Sequence, residues 1–249
     1  MLLGIEKTAF YSRGIVSTTW EPINGAVTST TQYKFGTASM AIPLTLTPTT
    51  VKTGIKSVGG DQTMFNFGTG DFTVEFYVYW NLTTPFGRQD IMGLFQTDGF
   101  GIISYNRFGS PATSYIQIIN GNGPDTFEKG TFTFATDTWL YFCVQRSGTT
   151  INMWMNGTPL SLTGTGAGTF NFASRTTGPC VMGTIDTSFS GMNDCYLDEV
   201  LITRGYAKYP TTGSISVPTQ PFTVGPYTSQ LMHMDGANNG TVFYNTVQN

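Results

Sequence analysis

The sequence predicts an all-β fold in which two antiparallel sheets pack as a sandwich or jelly roll. Residues 71–81 (DFTVEFYVYWN) alternate between apolar and mainly polar positions, as expected of a strand with one buried face. Short strand-like segments recur at intervals of about 8–12 residues and are separated by Gly, Asn and Pro turns. No stretch of about ten or more residues places its apolar side chains at helical spacing.

The strand at 71–81 has one face suited to the core. This face consists of Phe72, Val74, Phe76, Val78 and Trp80. Such a face must pack against a second sheet. Further strands are predicted, in chain order, at 33–42, 90–95, 100–106, 114–120, 127–134, 139–146, 150–156, 158–162, 181–185 and 196–203. Asp98-Gly99 and Ser147-Gly148 are typical of tight hairpin turns.

Length and composition limit the classes of protein that need to be considered. The 249 residues fit one large all-β domain or a domain with appendages, and residues 1–20 are expected to form an arm or an edge strand. Only 11% of the residues are charged, which predicts a surface rich in Thr, Ser and Asn or one partly covered by neighbouring subunits. The net charge of −3 and the lack of a basic run argue against nucleic-acid binding. No apolar run approaches the roughly 20 residues that span a bilayer, and the first residues lack the features of a signal peptide.

The cysteines are expected to be buried free thiols. Cys143, Cys180 and Cys195 are odd in number and have no CxxC spacing, which fits neither a disulfide framework nor a zinc site. Cys143 and Cys195 lie inside predicted strands, where a small thiol packs as an apolar group. This pattern indicates folding in a reducing cytoplasm.

Four segments, in this order, resemble a known family. They are Lys34–Met40 (KFGTASM), Asp71–Asn81, Trp139–Leu160 (WLYFCVQRSGTTINMWMNGTPL) and Cys195–Tyr209 (CYLDEVLITRGYAKY). Together they resemble the laminin G-like, concanavalin A-like jelly roll, in the version found in virion proteins of tailed bacteriophages. The resemblance covers about residues 20–222, so residues 21–222 are expected to form the jelly roll.

The C-terminal segment at 223–249 is out of the family's usual order. Residues 230–243 (QLMHMDGANNGTVF) resemble the segment that normally opens such a domain, yet here they come last. The domain is either circularly permuted, or the segment completes the sheet of a neighbouring subunit, or it remains from a tandem array. We favour the first two explanations. The candidate contact residues of the segment are Leu231, His233, Asp235 and Phe243.

Concanavalin A-like sandwiches include glucanases, so catalysis has to be considered. Retaining glycosidases need two carboxyl groups about 5–5.5 Å apart. Asp198 and Glu199 are adjacent in a predicted strand, and strand geometry is expected to send them to opposite faces. His233 is the single histidine, and no Gly-x-Ser-x-Gly nucleophile elbow is present. We therefore predict a protein that is not an enzyme and has no cofactor.

A calcium site is the alternative to a metal-free protein, because laminin G-like domains often hold calcium. The aspartates in or near predicted loops are Asp98, Asp125, Asp186 and Asp194. Their carboxylates are hard oxygen ligands, but their spacing fits no defined calcium loop. Aspartates are also ordinary turn residues.

The polar face of the strand at 71–81 is the surface predicted to contact a partner. The candidate glycan or subunit contact residues are Glu75, Tyr77, Tyr79, Asn152 and Trp154. Aromatic rings stack on sugars and anchor interfaces. The alternative is that the loops at 82–90 and 163–179 cover these rings, which would then form a minor core.

Two functions are consistent with the sequence. The first is a structural virion protein of a tailed bacteriophage, as a capsid decoration or appendage subunit or a tail-associated one, acting through oligomeric assembly. It would be made in the bacterial host cytoplasm, reside in the virion, and contact other virion proteins and its own copies. The alternative is a carbohydrate-binding module that recognises host-surface or environmental glycans. Neither function involves nucleic acid or a membrane.

Overall fold

The computed structural model describes residues 19–43, 53–58, 65–81, 88–94, 100–105, 114–120, 127–164, 166–169, 171–172, 179–184 and 194–247. Residues 1–18 and the predicted turn at 98–99 lie outside this part of the chain. The strands are, in chain order, β1 (Thr19–Ile23), β2 (Val27–Ser29), β3 (Ser39–Ile42), β4 (Gly54–Val58), β5 (Phe72–Trp80), β6 (Arg88–Leu94), β7 (Phe100–Tyr105), β8 (Ser114–Asn120), β9 (Phe127–Phe132), β10 (Trp139–Ser147), β11 (Thr150–Met155), β12 (Thr158–Pro159), β13 (Leu162–Gly164), β14 (Cys180–Met182), β15 (Cys195–Arg204), β16 (Thr228–Met232) and β17 (Phe243–Tyr244).

The strands form two antiparallel sheets, which confirms the predicted fold class. The first sheet has the order β13-β9-β8-β7-β6-β14-β4-β1-β17, and the second has the order β12-β11-β10-β5-β15-β3-β2. Strand β16 pairs with β15 beside this second path. The helical structure in the described residues is one turn of 3-10 helix, Ala167–Thr169. Within the same residues no helix has the length and hydropathy needed to cross a membrane.

The main core lies between the sheets, and β5 is central to it. Strand β5 pairs with β10 on one side and β15 on the other, so that Val74 lies between Val144 and Ile202. All five apolar side chains of its core face are fully buried, as their alternation predicts. The cysteines Cys143, Cys180 and Cys195 are also buried and free, as expected from their number and spacing.

A β-bulge in β15 corrects one prediction. The register of β15 against β5 shifts by one residue between Asp198, opposite Tyr77, and Leu201, opposite Glu75. Glu199 takes up the extra residue with a φ of 49°, a left-handed conformation that is uncommon outside glycine. The carboxylates of Asp198 and Glu199 therefore both lie on the outer side of the second sheet, and the expectation of opposite faces was wrong.

A second, smaller core covers the outer face of the second sheet. Residues 205–222, here called the covering segment, run without a regular strand from the end of β15 across this face. The buried residues of this second core are Tyr77, Tyr141, Cys143, Trp154, Leu201, Ile215, Phe222, Leu231 and Val247. The described segment that covers the rings of Tyr77 and Trp154 is thus 205–222, whereas Tyr79 stays partly exposed. Most of the loops predicted to do so, at 82–90 and 163–179, lies outside the described residues.

The C-terminal segment packs on its own chain in this structure. Leu231 of β16 lies opposite Leu201 of β15, and Phe243 of β17 lies opposite Trp20 of β1. Between these strands, Asn239 and Gly240 exchange backbone hydrogen bonds with Thr28, at the free edge of β2. The segment thus covers the free edge of β2, and it adds the short strand β17 as the edge of the first sheet beyond β1.

Two side chains of the C-terminal segment make further specific contacts. The Asp235 carboxylate accepts hydrogen bonds from the backbone N–H groups of Thr37 (2.6 Å) and Ala38 (3.0 Å). His233 places its Nδ1 2.7 Å from Oε1 of Glu199. All four candidate contact residues of the segment therefore have partners on the body of the same domain.

Removal of residues 228–249 is expected to abolish cooperative unfolding of the monomer, because β15 and β1 each lose a partner strand and the edge of β2 loses its cover. Circular-dichroism melting curves measure this loss. As a point substitution, Phe243→Ala should lower the free energy of unfolding by about 3 kcal/mol, since it leaves a cavity at a buried aromatic site. The control Tyr244→Ala removes a side chain that is 69% exposed and should cost about 0.5 kcal/mol or less.

The same measurements distinguish packing within the chain from exchange between chains. If the segment belongs to its own domain, the melting temperature is independent of protein concentration. A melting temperature that rises with concentration would show that folding is linked to association between chains, as exchange of the segment requires.

Candidate functional site

A buried carboxylate, that of Glu75, organises the outer face of the second sheet. Its Oε1 accepts hydrogen bonds from the hydroxyls of Tyr141 (2.7 Å) and Tyr209 (2.6 Å). Its Oε2 lies 2.7 Å from the ammonium Nζ of Lys208. Burial raises the pKa of Tyr141, and the nearby Cys143 and Glu75 raise it further. Both phenols therefore stay protonated and serve as donors to the carboxylate.

Tyr77, the next outward residue of β5, is also enclosed. Its hydroxyl donates to the carbonyl oxygen of Pro218 at 2.7 Å, and its ring meets that of Phe35 edge-on at 5.6 Å. Burial and the carboxylates around it, Glu75 first, raise its pKa. The hydroxyl of Tyr77 thus anchors the covering segment to the sheet.

The remaining predicted contact residues do not form one groove. Trp154 is buried and donates its Nε1–H to the carbonyl of Gly213 at 2.9 Å, while Asn152 donates to the carbonyl of Thr211 at 2.8 Å. Tyr79 is partly exposed at the other end of the strands. Asn152 of β11 lies opposite Gln145 of β10, which in turn lies opposite Thr73 of β5. Because Thr73 is six residues before Tyr79, Asn152 and Tyr79 are about 20 Å apart along the strands. The predicted set is thus divided between a buried layer and two distant, partly exposed side chains.

Two neighbouring side chains of β10, those of Gln145 and Arg146, bind backbone groups on opposite faces of the second sheet. The amide of Gln145 both donates to and accepts from the backbone of Tyr209, at 2.9 and 2.8 Å. Arg146 points to the other side of the sheet, where it donates to the carbonyls of Gly68 and Gly70 between the rings of Phe72 and Phe172. Gln145 therefore anchors the covering segment, whereas Arg146 belongs to the interior.

A cleft of about 550 Å³ opens between the covering segment and the start of β16. Its volume falls in the range of about 300–1,000 Å³ that is typical of small-molecule sites. The lining residues are Leu201, Thr203, Tyr206, Lys208, Pro218, Thr219, Gln220, Pro221, Phe222, Thr223, Gly225, Pro226, Tyr227 and Thr228. The cleft is the candidate functional site.

Two stacked tyrosine rings form the exposed wall of the cleft. Tyr206 and Tyr227 are 46% and 52% exposed, and their ring centroids lie 5.0 Å apart with an angle of 17° between the planes. The backbone of Tyr227 is tied to β15, because the N–H of Arg204 donates to its carbonyl at 2.9 Å. The cleft thus presents a rigid aromatic surface to solvent.

The bulge in β15 supports the opposite wall. Glu199 accepts a hydrogen bond from the backbone N–H of Phe222 at 2.7 Å and pairs with His233 through its other oxygen. Asp198 accepts from the N–H groups of Lys34 and Phe35, and burial raises its pKa well above the usual range. The hydrogen bond to Glu199 raises the pKa of His233, against the opposing effect of burial.

The described residues contain no group of three or more His, Cys, Asp or Glu side chains placed to hold a metal ion. Of the four aspartates considered for calcium, Asp194 accepts a hydrogen bond from the amide of Asn81 at 3.1 Å. The other three, at 98, 125 and 186, lie outside the described residues.

Sequence reasoning did not find the cleft. It placed the contact surface on β5 because alternation marks one polar face, but alternation does not show what covers that face. A signal was present in residues 206–227, where tyrosines and prolines are concentrated outside any predicted strand. Prolines restrict the backbone, and exposed aromatic residues on a rigid connection are typical of binding sites.

Comparisons with known proteins support the fold. No protein-family model matches the chain, and no curated protein matches it in sequence. Among similar solved structures is domain 4 of AbnA, a GH43 extracellular arabinanase from Geobacillus stearothermophilus, in complex with arabinotriose. It is 14% identical, with a TM-score of 0.50 over 80% of this chain and 87% of that chain.

Two further structures cover this chain but are longer proteins. The binding domain of botulinum neurotoxin serotype D is 11% identical, with a TM-score of 0.50 over 76% of this chain and 44% of that chain. Tailspike protein 2 from Escherichia coli O157:H7 bacteriophage CAB120 is 8% identical, with a TM-score of 0.48 over 81% of this chain and 27% of that chain. The arabinanase domain and the neurotoxin domain show that this chain shares the jelly-roll sandwich fold.

Replacement of Lys208 by Met should lower the free energy of unfolding by about 2 kcal/mol, because the buried carboxylate of Glu75 loses its charged donor. The double variant Lys208→Met, Glu75→Gln should lose less than the sum of the two single variants, since each removes the same interaction. Urea denaturation measures all three. The control Lys56→Met breaks an exposed ion pair with Glu21 at 3.9 Å and should cost about 0.5 kcal/mol or less. If the losses of the two single variants add up to that of the double variant, the interaction of Lys208 with Glu75 does not stabilise the fold.

The pair of His233 and Glu199 should make stability depend on pH. Because the folded-state pKa of His233 is raised above the ordinary value near 6.5, its contribution is fully present below about pH 6.5 and is lost as pH rises through the folded value. The difference in unfolding free energy between the wild type and His233→Gln should therefore be larger at about pH 6 than at about pH 9. The chain has one histidine, so the imidazole NMR signal reports its titration directly. A folded-state pKa at or below the ordinary value would contradict this account.

Proposed function

We propose that this chain is a carbohydrate-binding module and that the cleft is its binding site. The observation that carries the proposal is the exposed pair of Tyr206 and Tyr227 in a cleft that threonine hydroxyls and the Gln220 amide also line. A sugar ring packs its apolar C–H face on an aromatic ring, while its hydroxyls exchange hydrogen bonds with polar side chains. The tyrosines supply a large and rigid surface for this contact, since the backbone under Tyr227 is already fixed.

The comparisons support this proposal at the level of the fold. The arabinanase domain with the same sandwich was solved with arabinotriose, and the neurotoxin domain is a binding domain. Proteins that share a fold need not share a binding site, so the proposal rests on the residues of the cleft itself. We infer that the module binds and does not cleave its ligand, and that binding needs no metal or other cofactor.

A structural role in a tailed-bacteriophage virion is the second candidate function. The sequence resemblance supports it, and so does one surface of the described residues. Val58, Val242 and Tyr244 are exposed near the edge that β17 forms in the first sheet. Exposed apolar side chains at a sheet edge suit a contact with another subunit or another virion protein. A capsid decoration or tail-associated subunit can also bind glycans, and light scattering of the purified chain tests for the oligomer.

Glycan-array binding followed by titration calorimetry tests the carbohydrate proposal. Tyr206→Ala and Tyr227→Ala should each weaken binding by about tenfold or more, which corresponds to about 1.4 kcal/mol of lost stacking. Tyr244→Ala is the matched control, because it removes an exposed tyrosine from the other sheet and should leave the affinity unchanged. A chelator should have no effect. Binding that survives both cleft substitutions would place the site elsewhere.

A further inference from the structure

We infer that the ligand of the cleft is a neutral oligosaccharide and that Lys208 orients it through its ammonium group. This inference rests on the carbohydrate-binding function proposed above. It adds the charge of the ligand and the residue that selects its orientation.

The cleft carries little net charge in the described part of the chain. Lys208 is the single charged side chain among the lining residues given above. Its ammonium lies 2.7 Å from a carboxylate oxygen of Glu75, which is fully buried. The positive charge in the wall is therefore matched by a negative charge directly behind it. A second buried carboxylate, Glu199, stands behind Phe222 and is paired with His233.

An acidic sugar gains little from such a wall. A carboxylate or phosphate that enters the cleft gives up hydration, and this cost is recovered only by a cation that is not already neutralised. Because Glu75 lies within hydrogen-bonding distance of Lys208, its repulsion offsets most of the attraction that the ammonium would exert on an anion. A neutral sugar pays no comparable desolvation cost and gains the same contact with the tyrosine rings.

Lys208 is nevertheless suited to orient a neutral ligand. An ammonium group has three donors, Glu75 takes one of them, and the side chain is 35% exposed. Glu75 is in turn held by the hydroxyls of Tyr141 and Tyr209, so it acts as a positioning residue for the ammonium. Ring and hydroxyl oxygens of a sugar are acceptors that fit the exposed side of this group. The lining threonines and Gln220 complete a neutral hydrogen-bonding surface.

Titration calorimetry with matched trisaccharides tests the inference. The neutral probes are arabinotriose and xylotriose, the acidic probe is trigalacturonate, and each is titrated at low and high salt. We expect the wild type to bind a neutral probe at least about tenfold more tightly than the acidic one, with an affinity that salt does not change. The double variant Lys208→Met, Glu75→Gln should bind the neutral probe about tenfold more weakly, because it keeps the buried layer neutral but removes the donors. Lys56→Met is the control and should bind as the wild type does.

The outcomes separate this inference from the function on which it rests. Tighter binding of trigalacturonate, weakened by salt and by Tyr227→Ala, would overturn the neutral-ligand inference and leave the carbohydrate-binding function intact. Unchanged affinity in the double variant, with its fold verified by near-ultraviolet circular dichroism, would remove Lys208 from the site. Failure of neutral and acidic glycans alike, on the array and in solution, would overturn the proposed function itself.

Discussion

The burial of the Glu75 carboxylate is the constraint on which the outer half of this domain depends. A charge in the interior is tolerated only when donors satisfy it, and here all three donors come from residues on other strands or on the covering segment. Tyr209 and Lys208 belong to that segment, and Tyr141 belongs to β10. The covering segment is therefore held in place because the buried carboxylate of the sheet beneath it needs its donors. The path of the segment in turn determines the position of the cleft walls.

The core between the sheets and the layer on the outer face of the second sheet are stabilised by different interactions. Between the sheets, β5 packs aliphatic and aromatic side chains in the pattern that its alternation dictates. On the outer face, polar side chains such as Gln145 and Asp198 bind backbone groups of segments that have no sheet partner of their own. This second layer gives an irregular connection a defined shape, and a binding site on a connection needs such a rigid scaffold beneath it.

The fold could be predicted from the sequence much better than the candidate site could. Alternation in 71–81 and the turn dipeptides are local signals, so the strands and the main core could be predicted from them. The bulge at Glu199 is not visible in that pattern, because a polar residue gives the same signal with or without a bulge. The partners of its carboxylate, Phe222 and His233, lie 23 and 34 positions away in the sequence. Tyr206 and Tyr227 are 21 positions apart, and their stacking depends on the path of the covering segment. Such pairings follow from tertiary structure and leave no periodic trace.

The pairing of β1 with β17 has a mechanical consequence. Thr19 lies opposite Tyr244 and Trp20 opposite Phe243, so the chain enters and leaves this antiparallel pair at the same end. A force that draws the two ends apart would load these hydrogen bonds one after another, as in opening a zipper, and would not load them together. Under tension, the contacts of residues 245–247 with Leu231 would be released first. Strand β17 would follow, and then the contact of Asn239 and Gly240 with Thr28. The cleft is built on the opposite sheet and would keep its tyrosine wall through these first steps.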